Sequence, residues 1–351
     1  MEVSARAICA PMNLVSTLLL ALVLALSANP AAAAFINGRS YIPLSDWASS
    51  NGFRLLQTGR SDEFVLTNRN ARLVFEKNSR QVTINGVNVL LSFPVAVDKG
   101  VVSVTQLDLA KTIAPLVFSP QLTAKKILTI CIDPGHGGRD SGNRVGSHLE
   151  KNYTLALAGE LQNQLRAAGF NVVFTRTKDE FVDLPDRPEI ANRRGADLFV
   201  SIHFNATETG KNEVAGPETY CITPVGAASS NAQGEGANHG ACIGNLVEKK
   251  SLLLAYQVQR ALVKNLGVED RSVRRARFAV LRDATMPAIL IESGYMSNPV
   301  EGRKIFDANY RRQIATAIVK GILAYQKLTV TVPPPKPTIK PAPKPANKKK
   351  K

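Results

Sequence analysis

Two patterns of apolar positions follow each other along the chain and predict two kinds of structure. From residue 35 to residue 120, short apolar and β-branched runs such as 71–75 alternate with turn residues. Asn85 and Gly86 lie between two such runs, which is typical of a tight β-hairpin. Residues 41–48 are echoed by residues 102–110, and each copy predicts a strand end that runs into a short helix. Segment 35–120 is therefore predicted to be a small α+β domain.

A different pattern extends from residue 125 to residue 327, where strand-like apolar runs alternate with stretches of helical period. Such alternation predicts βα units and a mainly parallel sheet flanked by helices. The predicted strands are 127–133, 171–176, 197–205, 218–223 and 288–292, and the predicted helices are 154–168, 251–266 and 310–326. The fold class expected for this segment is α/β, preceded by the small α+β domain.

Residues 1–34 have the pattern of a signal peptide. Their apolar run, 14–28, has fifteen residues. A membrane-spanning helix needs about 20 apolar residues, so this run is short for an anchor and suits a signal-peptide core. Alanines at positions 32–34 provide a cleavage site, with Phe35 as the first residue of the mature chain. The protein is therefore expected to be exported, to the periplasm or to the extracellular cell wall.

The last segment, 328–351, is predicted to be a disordered tail. Residues 333–351 contain seven Pro and seven Lys and no aromatic residue, a composition that cannot form a core. These lysines contribute seven of the chain's formal net charge of +16. A basic tail of this kind favours an anionic wall or membrane surface as a partner, and no nucleic-acid partner is predicted.

Candidate chemistry gathers at the ends of the predicted strands. The chain has four histidines, all in the second segment. His136 follows the first strand in a Gly-rich turn, His203 ends another strand, and Glu292 closes the strand 288–292. Because the carboxyl ends of parallel strands share one edge of a sheet, these three side chains are expected to converge. The turn lacks the glycine spacing of the known phosphate-binding loops, so a metal site is the better interpretation.

A third metal ligand is required if the site is a catalytic zinc centre, since such centres use three protein ligands and a water molecule. His148 and Glu150 are the candidates, and both lie shortly before the helix predicted at 154–168. The residues alone do not decide between them.

Seven motifs between residues 127 and 326 resemble those of the zinc-dependent N-acetylmuramoyl-L-alanine amidases, in that family's order. They are 132–138 with Asp140 and Gly142, Glu150 with Lys151, Arg187 with Ala191 and Asn192, 195–206, Gly216 with Glu218 and Tyr220, 278–282, and 286–298. The resemblance implies a phosphorylase/hydrolase-like α/β fold and one zinc ion bound by His136, Glu150 and His203. It also implies that Glu292 is the catalytic acid/base, that His148 is a solvent-facing neighbour, and that the substrate is the amide between N-acetylmuramic acid and L-alanine in peptidoglycan.

The first segment resembles the small N-terminal domain of copper amine oxidases. It contains no histidine, so no copper site is implied, and a wall-targeting or spacer module is expected. The four predicted parts of the chain are the signal peptide 1–34, the α+β domain 35–120, the catalytic domain 125–327 and the tail 328–351.

The Gly- and Asn-rich insert 221–250 departs from the family pattern. Cys221 and Cys242 flank it, and a disulfide between them is one hypothesis for an exported protein. The insert has too many glycines for a stable long helix, which argues against a helix that covers the site. Two other functions stay open, a zinc peptidase that cuts within the stem peptide and a non-catalytic wall-binding protein. The sequence neither indicates nor excludes a protein activator.

Overall fold

The computed structural model describes residues 34–57, 62–118, 126–229 and 240–329 of the chain. The predicted signal peptide apart from Ala34, and the predicted tail apart from residues 328 and 329, lie outside these ranges. None of the helices in the described ranges has the length and apolar character that a membrane span requires.

Segment 34–118 consists of short strands and short helices, as its sequence pattern predicts. Its helices are α1 (Leu44–Ser50), α2 (Gln106–Asp108) and α3 (Ala114–Val117), with a π-helical turn between the last two. Its strands are β1 (Ala34–Ile36), β2 (Arg39–Pro43), β3 (Arg54–Gln57), β4 (Glu63–Thr67), β5 (Arg72–Glu76), β6 (Gln81–Ile84), β7 (Val87–Leu90), β8 (Ala96–Asp98) and β9 (Val101–Thr105). Four of these strands form a separate antiparallel sheet in the order β1-β2-β9-β8. Asn85 and Gly86 form the predicted hairpin turn between β6 and β7.

Segment 126–329 contains longer elements. Its strands are β10 (Thr129–Pro134), β11 (Arg144–Val145), β12 (His148–Leu149), β13 (Asn171–Phe174), β14 (Leu198–Asn205), β15 (Glu218–Ile222), β16 (Val273–Ala276) and β17 (Ala288–Tyr295). Its helices are α4 (Glu150–Ala167), α5 (Asp186–Arg193), α6 (Glu248–Leu266), α7 (Ala279–Arg282), α8 (Pro299–Phe306) and α9 (Ala308–Thr329). The five predicted strands and three predicted helices are all present, with ends shifted by a few residues. Helices α5, α7 and α8 and strands β11, β12 and β16 are additions to the prediction.

The α/β fold class is confirmed. Within the described residues, one sheet has eleven strands in the order β13-β10-β14-β17-β15-β16-β7-β6-β5-β4-β3. Strands β13, β10, β14 and β17 are mutually parallel, β15 runs antiparallel to β17, and β16 runs parallel to β15. The carboxyl ends of β10 and β14 therefore meet at one edge, where the sequence predicts the site.

Residues along each central strand alternate between two apolar layers. Ile132, Val200 and Ile291 belong to the larger buried cluster, which α4, α6 and α9 cover. Phe199 and Leu290 belong to the smaller cluster, which the short helices α5 and α7 cover. Because β-strand side chains point alternately to opposite faces, this pattern places the sheet between two helical layers.

The two segments share one sheet. Strand β7 pairs in parallel with β16 at Val89 and Val273, and this pair joins the N-terminal hairpins to the strands of segment 126–329. The Tyr256 hydroxyl of α6 donates to the Ile84 carbonyl (2.8 Å), and residues of both segments belong to the larger buried cluster. Segment 34–118 therefore extends the sheet of segment 126–329. The predicted boundary at 120–125 lies outside the described residues and stays a prediction.

The cysteine hypothesis is wrong in this structure. Cys131, Cys221 and Cys242 are free thiols. The Cys221 sulfur lies 3.7 Å from the Arg274 carbonyl oxygen, whereas the Cys242 sulfur lies 3.2 Å from the Asn245 side-chain oxygen. The two sulfurs therefore have different surroundings. The central part of the insert, residues 230–239, lies outside the described ranges, so its role in autoinhibition is not tested.

Candidate active site

The ends of β10 and β14 and the start of α4 bring three of the predicted residues together. His136 follows β10 in a left-handed backbone conformation, with φ of 61°. His203 lies near the end of β14, and Glu150 is the first residue of α4, which begins four residues before the predicted start at 154. Strand pairing places Glu292 of β17 directly beside His203. All four side chains line one cavity of about 480 Å³.

The three side chains His136, Glu150 and His203 offer ligand atoms that all lie within 4.8 Å of one another. Nε2 of His136 is 3.0 Å from Oε2 of Glu150, and Nδ1 of His203 is 3.0 Å from Oε1 of Glu150. The two imidazole nitrogens are 3.2 Å apart. Two imidazoles and one carboxylate form a donor set typical of hydrolytic metal centres, so these residues fit a metal ion.

His148 lies outside this cluster. Its ring stacks on Phe306 with centroids 3.7 Å apart, and its Nδ1 contacts the Tyr153 hydroxyl. The structure thus agrees with Glu150, rather than His148, as the third member of the set. The expectation that His148 faces solvent is wrong, because the aromatic contacts leave its ring half-buried.

Close packing explains why two positions of the turn are occupied by glycine. A Cβ atom at Gly142 would lie 2.5 Å from Cδ2 of His136 and 2.6 Å from Oε2 of Glu150. A Cβ atom at Gly135 would lie 2.2 Å from Cε1 of His203. Any side chain at these positions would displace the candidate ligands, so the glycines preserve the geometry of the site.

Hydrogen bonds orient the candidate ligands. Nδ1 of His136 is hydrogen-bonded to the Asp140 carboxylate (2.8 Å), which leaves Nε2 directed at Glu150. The Glu150 carboxylate accepts from the backbone N–H groups of Asn143 (2.9 Å) and Phe204 (3.0 Å). Burial opposes ionisation of Glu150, but the contacts with His136 and His203 hold its pKa well below the usual range. Hydrogen bonds to residues outside the ligand set, such as those with Asp140, Asn143 and Phe204, fix the rotamer and tautomer of metal ligands.

Two buried arginines hold the backbone that carries His136. The Arg187 guanidinium donates to the buried Asp133 carboxylate (2.8 Å) and to the carbonyl of His136 (3.0 Å). The Arg176 guanidinium donates to the carbonyls of Pro134 (2.9 Å), Gly135 (2.8 Å) and Lys151 (3.0 Å), the residue after Glu150. Arg176 therefore connects both segments that carry candidate ligands. Arg187 belongs to one of the motifs recognised in the sequence, whereas no sequence signal indicates the role of Arg176, since arginines are usually exposed.

Glu292 differs from the other acidic residues of the cavity. Its Oε2 is buried and has no hydrogen-bond partner within the part of the chain that the structure describes. Burial raises the pKa of Glu292 well above its usual value, and the nearby Glu150 and Glu218 carboxylates raise it further. A carboxyl group in such surroundings holds a proton closer to neutral pH, as a general acid requires.

Glu218 lies opposite Glu292 in the pairing of β15 with β17 and has contrasting surroundings. It accepts hydrogen bonds from the hydroxyl groups of Tyr220 (2.7 Å) and Tyr295 (2.9 Å) and from Nε of Arg271 (3.1 Å). Because three side chains donate hydrogen bonds to it, Glu218 has the surroundings of a structural carboxylate, in contrast to Oε2 of Glu292.

The rest of the cavity is mostly apolar. One wall consists of Phe181, Val182 and Leu184, and another consists of Phe278, Ala279 and Val280. Phe181 and Leu184 are exposed apolar side chains on the segment after β13. The site therefore combines three converging metal-type ligands, a carboxyl group with one buried oxygen that no described residue pairs, and apolar walls. This arrangement is suited to hydrolysis of a substrate that enters the groove.

Comparisons with known proteins indicate one family of enzymes. The family model described as "N-acetylmuramoyl-L-alanine amidase" matches residues 130–324. The amidase LytC of Bacillus subtilis is 35% identical over 199 residues, which are 57% of this chain and 36% of LytC. The amidase AmiA of Escherichia coli is 33% identical over an alignment of 220 positions, which covers 56% of this chain and 75% of AmiA.

A solved structure, the amidase AmiC2 of Nostoc punctiforme, is 35% identical, with a TM-score of 0.48, and the match covers 57% of this chain and 97% of that one. The chain spans about a third of LytC (36%) and three quarters of AmiA (75%). The match of the family model to more than half of the chain is decisive: the chain belongs to the N-acetylmuramoyl-L-alanine amidase family.

Proposed function

We propose that this protein hydrolyses the amide bond between N-acetylmuramic acid and L-alanine in peptidoglycan, with zinc as its metal. The observation that carries the proposal is the convergence of His136, Glu150 and His203 in one cavity with Glu292, whose buried Oε2 has no hydrogen-bond partner among the described residues. Membership of the amidase family supports the reaction type.

His136, Glu150 and His203 would hold one zinc ion, which when bound would acidify a water molecule and polarise the amide carbonyl. Asp140 and the backbone N–H groups of Asn143 and Phe204 keep the ligand side chains in position. The apolar walls around the cavity reduce the access of bulk water, which strengthens electrostatic interactions with the reacting groups.

Glu292 would move the proton. It accepts a proton from the attacking water and passes it to the amine nitrogen of L-alanine as the carbon–nitrogen bond breaks. The products are a muramyl carboxylate and a stem peptide with a free N-terminal alanine. A raised pKa suits this role, because the same carboxyl group has to accept and then donate one proton near neutral pH.

We also propose that the protein is exported and acts on the cell wall. The signal-peptide pattern at 1–34 and the family's substrate support this location, and the Lys-rich tail 328–351 favours contact with an anionic wall or membrane surface. Segment 35–120 is proposed to help engage the wall while it extends the catalytic sheet.

Digestion of purified sacculi, followed by mass analysis of the products, tests the proposal. An amidase releases stem peptides that begin with L-alanine and leaves glycan without peptide, and a zinc chelator abolishes the release. A peptidase would leave L-alanine attached to N-acetylmuramic acid. A wall-binding protein without activity would release neither product, and either of these results would refute the proposed function.

A further inference from the structure

An ion pair lies directly beside the turn that carries His136. Lys151 follows the candidate ligand Glu150 on α4, and Asp179 lies in the segment after β13. Nζ of Lys151 is 2.7 Å from Oδ2 of Asp179. The Lys151 side chain is 13% exposed and that of Asp179 is 51% exposed, so the pair is at the protein surface.

Both members of the pair also bind the backbone of Gly138. Nζ of Lys151 donates to the Gly138 carbonyl (2.8 Å), and the Gly138 N–H donates to Oδ1 of Asp179 (2.7 Å). The two side chains therefore hold both polar backbone atoms of a residue that is two positions after His136. An exposed ion pair alone contributes little to stability, so the bonds to Gly138 distinguish this pair from an ordinary surface contact.

Steric contact makes the position of the turn depend on the segment that carries Asp179. A Cβ atom at Gly137 would lie 2.2 Å from the Glu180 carbonyl oxygen, and one at Gly138 would lie 2.6 Å from the Phe181 nitrogen. The turn and the segment 179–181 are thus in direct contact. A shift of this segment changes the space available to the turn and also moves Phe181, which lines the cavity.

The left-handed backbone conformation of His136 explains why contacts from neighbouring residues matter for this turn. A non-glycine residue with φ of 61° is less favourable than in the ordinary helical or extended regions. Contacts on the far side of the turn are required to maintain this conformation. Arg187 supplies one contact at the His136 carbonyl, and the Lys151–Asp179 pair supplies the next two at Gly138.

We propose that Lys151 and Asp179 are positioning residues that clamp the turn at Gly138 and so keep His136 in the geometry required of a metal ligand. The proposal rests on the proposed zinc site. Its mechanism is preorganisation: without the clamp, part of the binding energy of the metal is consumed in ordering the turn. The reaction itself does not involve either side chain.

Zinc affinity of the full chain, measured against a competing chelator, tests the proposal. Asp179→Ala removes both acceptors, and Lys151→Met removes the donor while it retains most of the apolar stem. Each variant is expected to bind zinc about tenfold more weakly, the lower end of the effect found for outer contacts of metal ligands. The double variant is expected to lose little more than either single variant, because both side chains act on Gly138.

Glu180→Gln is the matched control. Glu180 is the next residue in the segment and forms an exposed ion pair with Lys178 (3.4 Å), without a side-chain contact to the turn among the described contacts. This variant should retain the zinc affinity of the unaltered chain. The melting temperature of the zinc-free protein separates clamping from general damage: Asp179→Ala should lower it only slightly, by the contribution of the surface ion pair with Lys151.

A loss of less than about threefold in Asp179→Ala, well below the usual effect of an outer contact, would overturn the clamp. A loss that Glu180→Gln shares, or one accompanied by a large fall in the zinc-free melting temperature, would overturn it as well. Failure of the proposed zinc site would look different, because the unaltered chain would then bind no zinc there. Failure of the proposed reaction would appear only in the products released from sacculi.

Discussion

A buried carboxyl group in each segment of the chain shows how the two differ. Asp108 of the N-terminal segment is fully buried and accepts from the backbone N–H groups of Ser92 (2.8 Å) and Phe93 (3.1 Å) and from the Thr105 hydroxyl (2.7 Å). Glu292 of the second segment has a buried oxygen without a partner among the described residues. Since buried polar groups are normally paired, a satisfied carboxylate indicates structure and an unpaired one indicates chemistry.

The same contrast extends to the architecture. The N-terminal segment has no histidine and contributes hairpins that continue the sheet, whereas the second segment places its polar residues at strand ends that open into a cavity. The shared strand pair β7–β16 means that the two segments differ in chemistry while they are joined in structure. This comparison leads to four predictions, from the largest expected effect to the smallest.

Loss of Glu292 should abolish most activity. Glu292→Ala is expected to reduce the turnover of muramyl peptide by about 10²–10⁴, the usual contribution of a general acid–base group. Its folding stability should be unchanged or increased, because the substitution removes an unpaired buried polar atom. Turnover and chemical denaturation are measured on the same preparation. Turnover within a factor of a few of the unaltered chain would remove Glu292 from the reaction.

Loss of Asp108 should have the opposite effect to loss of Glu292: stability should fall while turnover is retained. Asp108→Ala leaves two buried N–H groups and a hydroxyl without their acceptor, and each such group costs about 1–3 kcal/mol. Chemical denaturation should show a large loss of stability, while the folded fraction keeps its turnover. Asp98→Ala, at an exposed position of β8, is the control and should have little effect on either property. A loss of turnover without a loss of stability would contradict the structural role of Asp108.

Loss of a hydrogen bond between the two segments should have a smaller effect, and this effect should destabilise both segments together. Tyr256→Phe removes the hydrogen bond from α6 to the Ile84 carbonyl and should lower the free energy of unfolding by about 0.5–1.5 kcal/mol. Because the segments share a sheet and a buried cluster, they should unfold in one transition. Two well-separated unfolding transitions in the unaltered chain would contradict this expectation. They would show instead that the N-terminal segment folds independently.

The smallest effect concerns acid stability. The hydrogen bonds from Lys151 and from the Gly138 N–H lower the pKa of Asp179. When the pKa of an Asp is lower in the folded state, the protein gains stability at every pH above the pKa of the unfolded chain, about 3.9. This stability is lost as the pH falls through the folded-state pKa. Zinc-free protein and its Asp179→Asn variant should therefore differ slightly in melting temperature at neutral pH and converge below about pH 4. A difference that persists unchanged to low pH would argue against this ion pair.

Local patterns in the sequence predicted much of the fold and of the site. The apolar runs ending at His203 and Glu292 predicted two strands and their convergence, because strand direction fixes which ends meet. The motif resemblance selected Glu150, which the residues alone left equal to His148. The early start of α4 was missed, since Leu149 at its N-cap position provides no side-chain capping bond.

Features that depend on distant parts of the chain were not predictable in the same way. The pairing of Val89 with Val273 joins residues far apart in sequence, and neither residue carries a local signal of its partner. The stacking of His148 on Phe306 and the burial of Arg176 have the same origin, because each is decided by tertiary packing. The disulfide hypothesis failed for a related reason: the separation of two cysteines in sequence does not determine the distance between their sulfurs.

The central claim is that His136, Glu150 and His203 bind one zinc ion and that Glu292 does not. A crystal structure of the zinc-loaded chain, with anomalous data collected at the zinc edge, tests it most directly. The account predicts one peak about 2.0–2.2 Å from Nε2 of His136, Nδ1 of His203 and a carboxylate oxygen of Glu150, with Glu292 outside this distance. A zinc peak bound to Glu292, or no peak among the three residues, would contradict it.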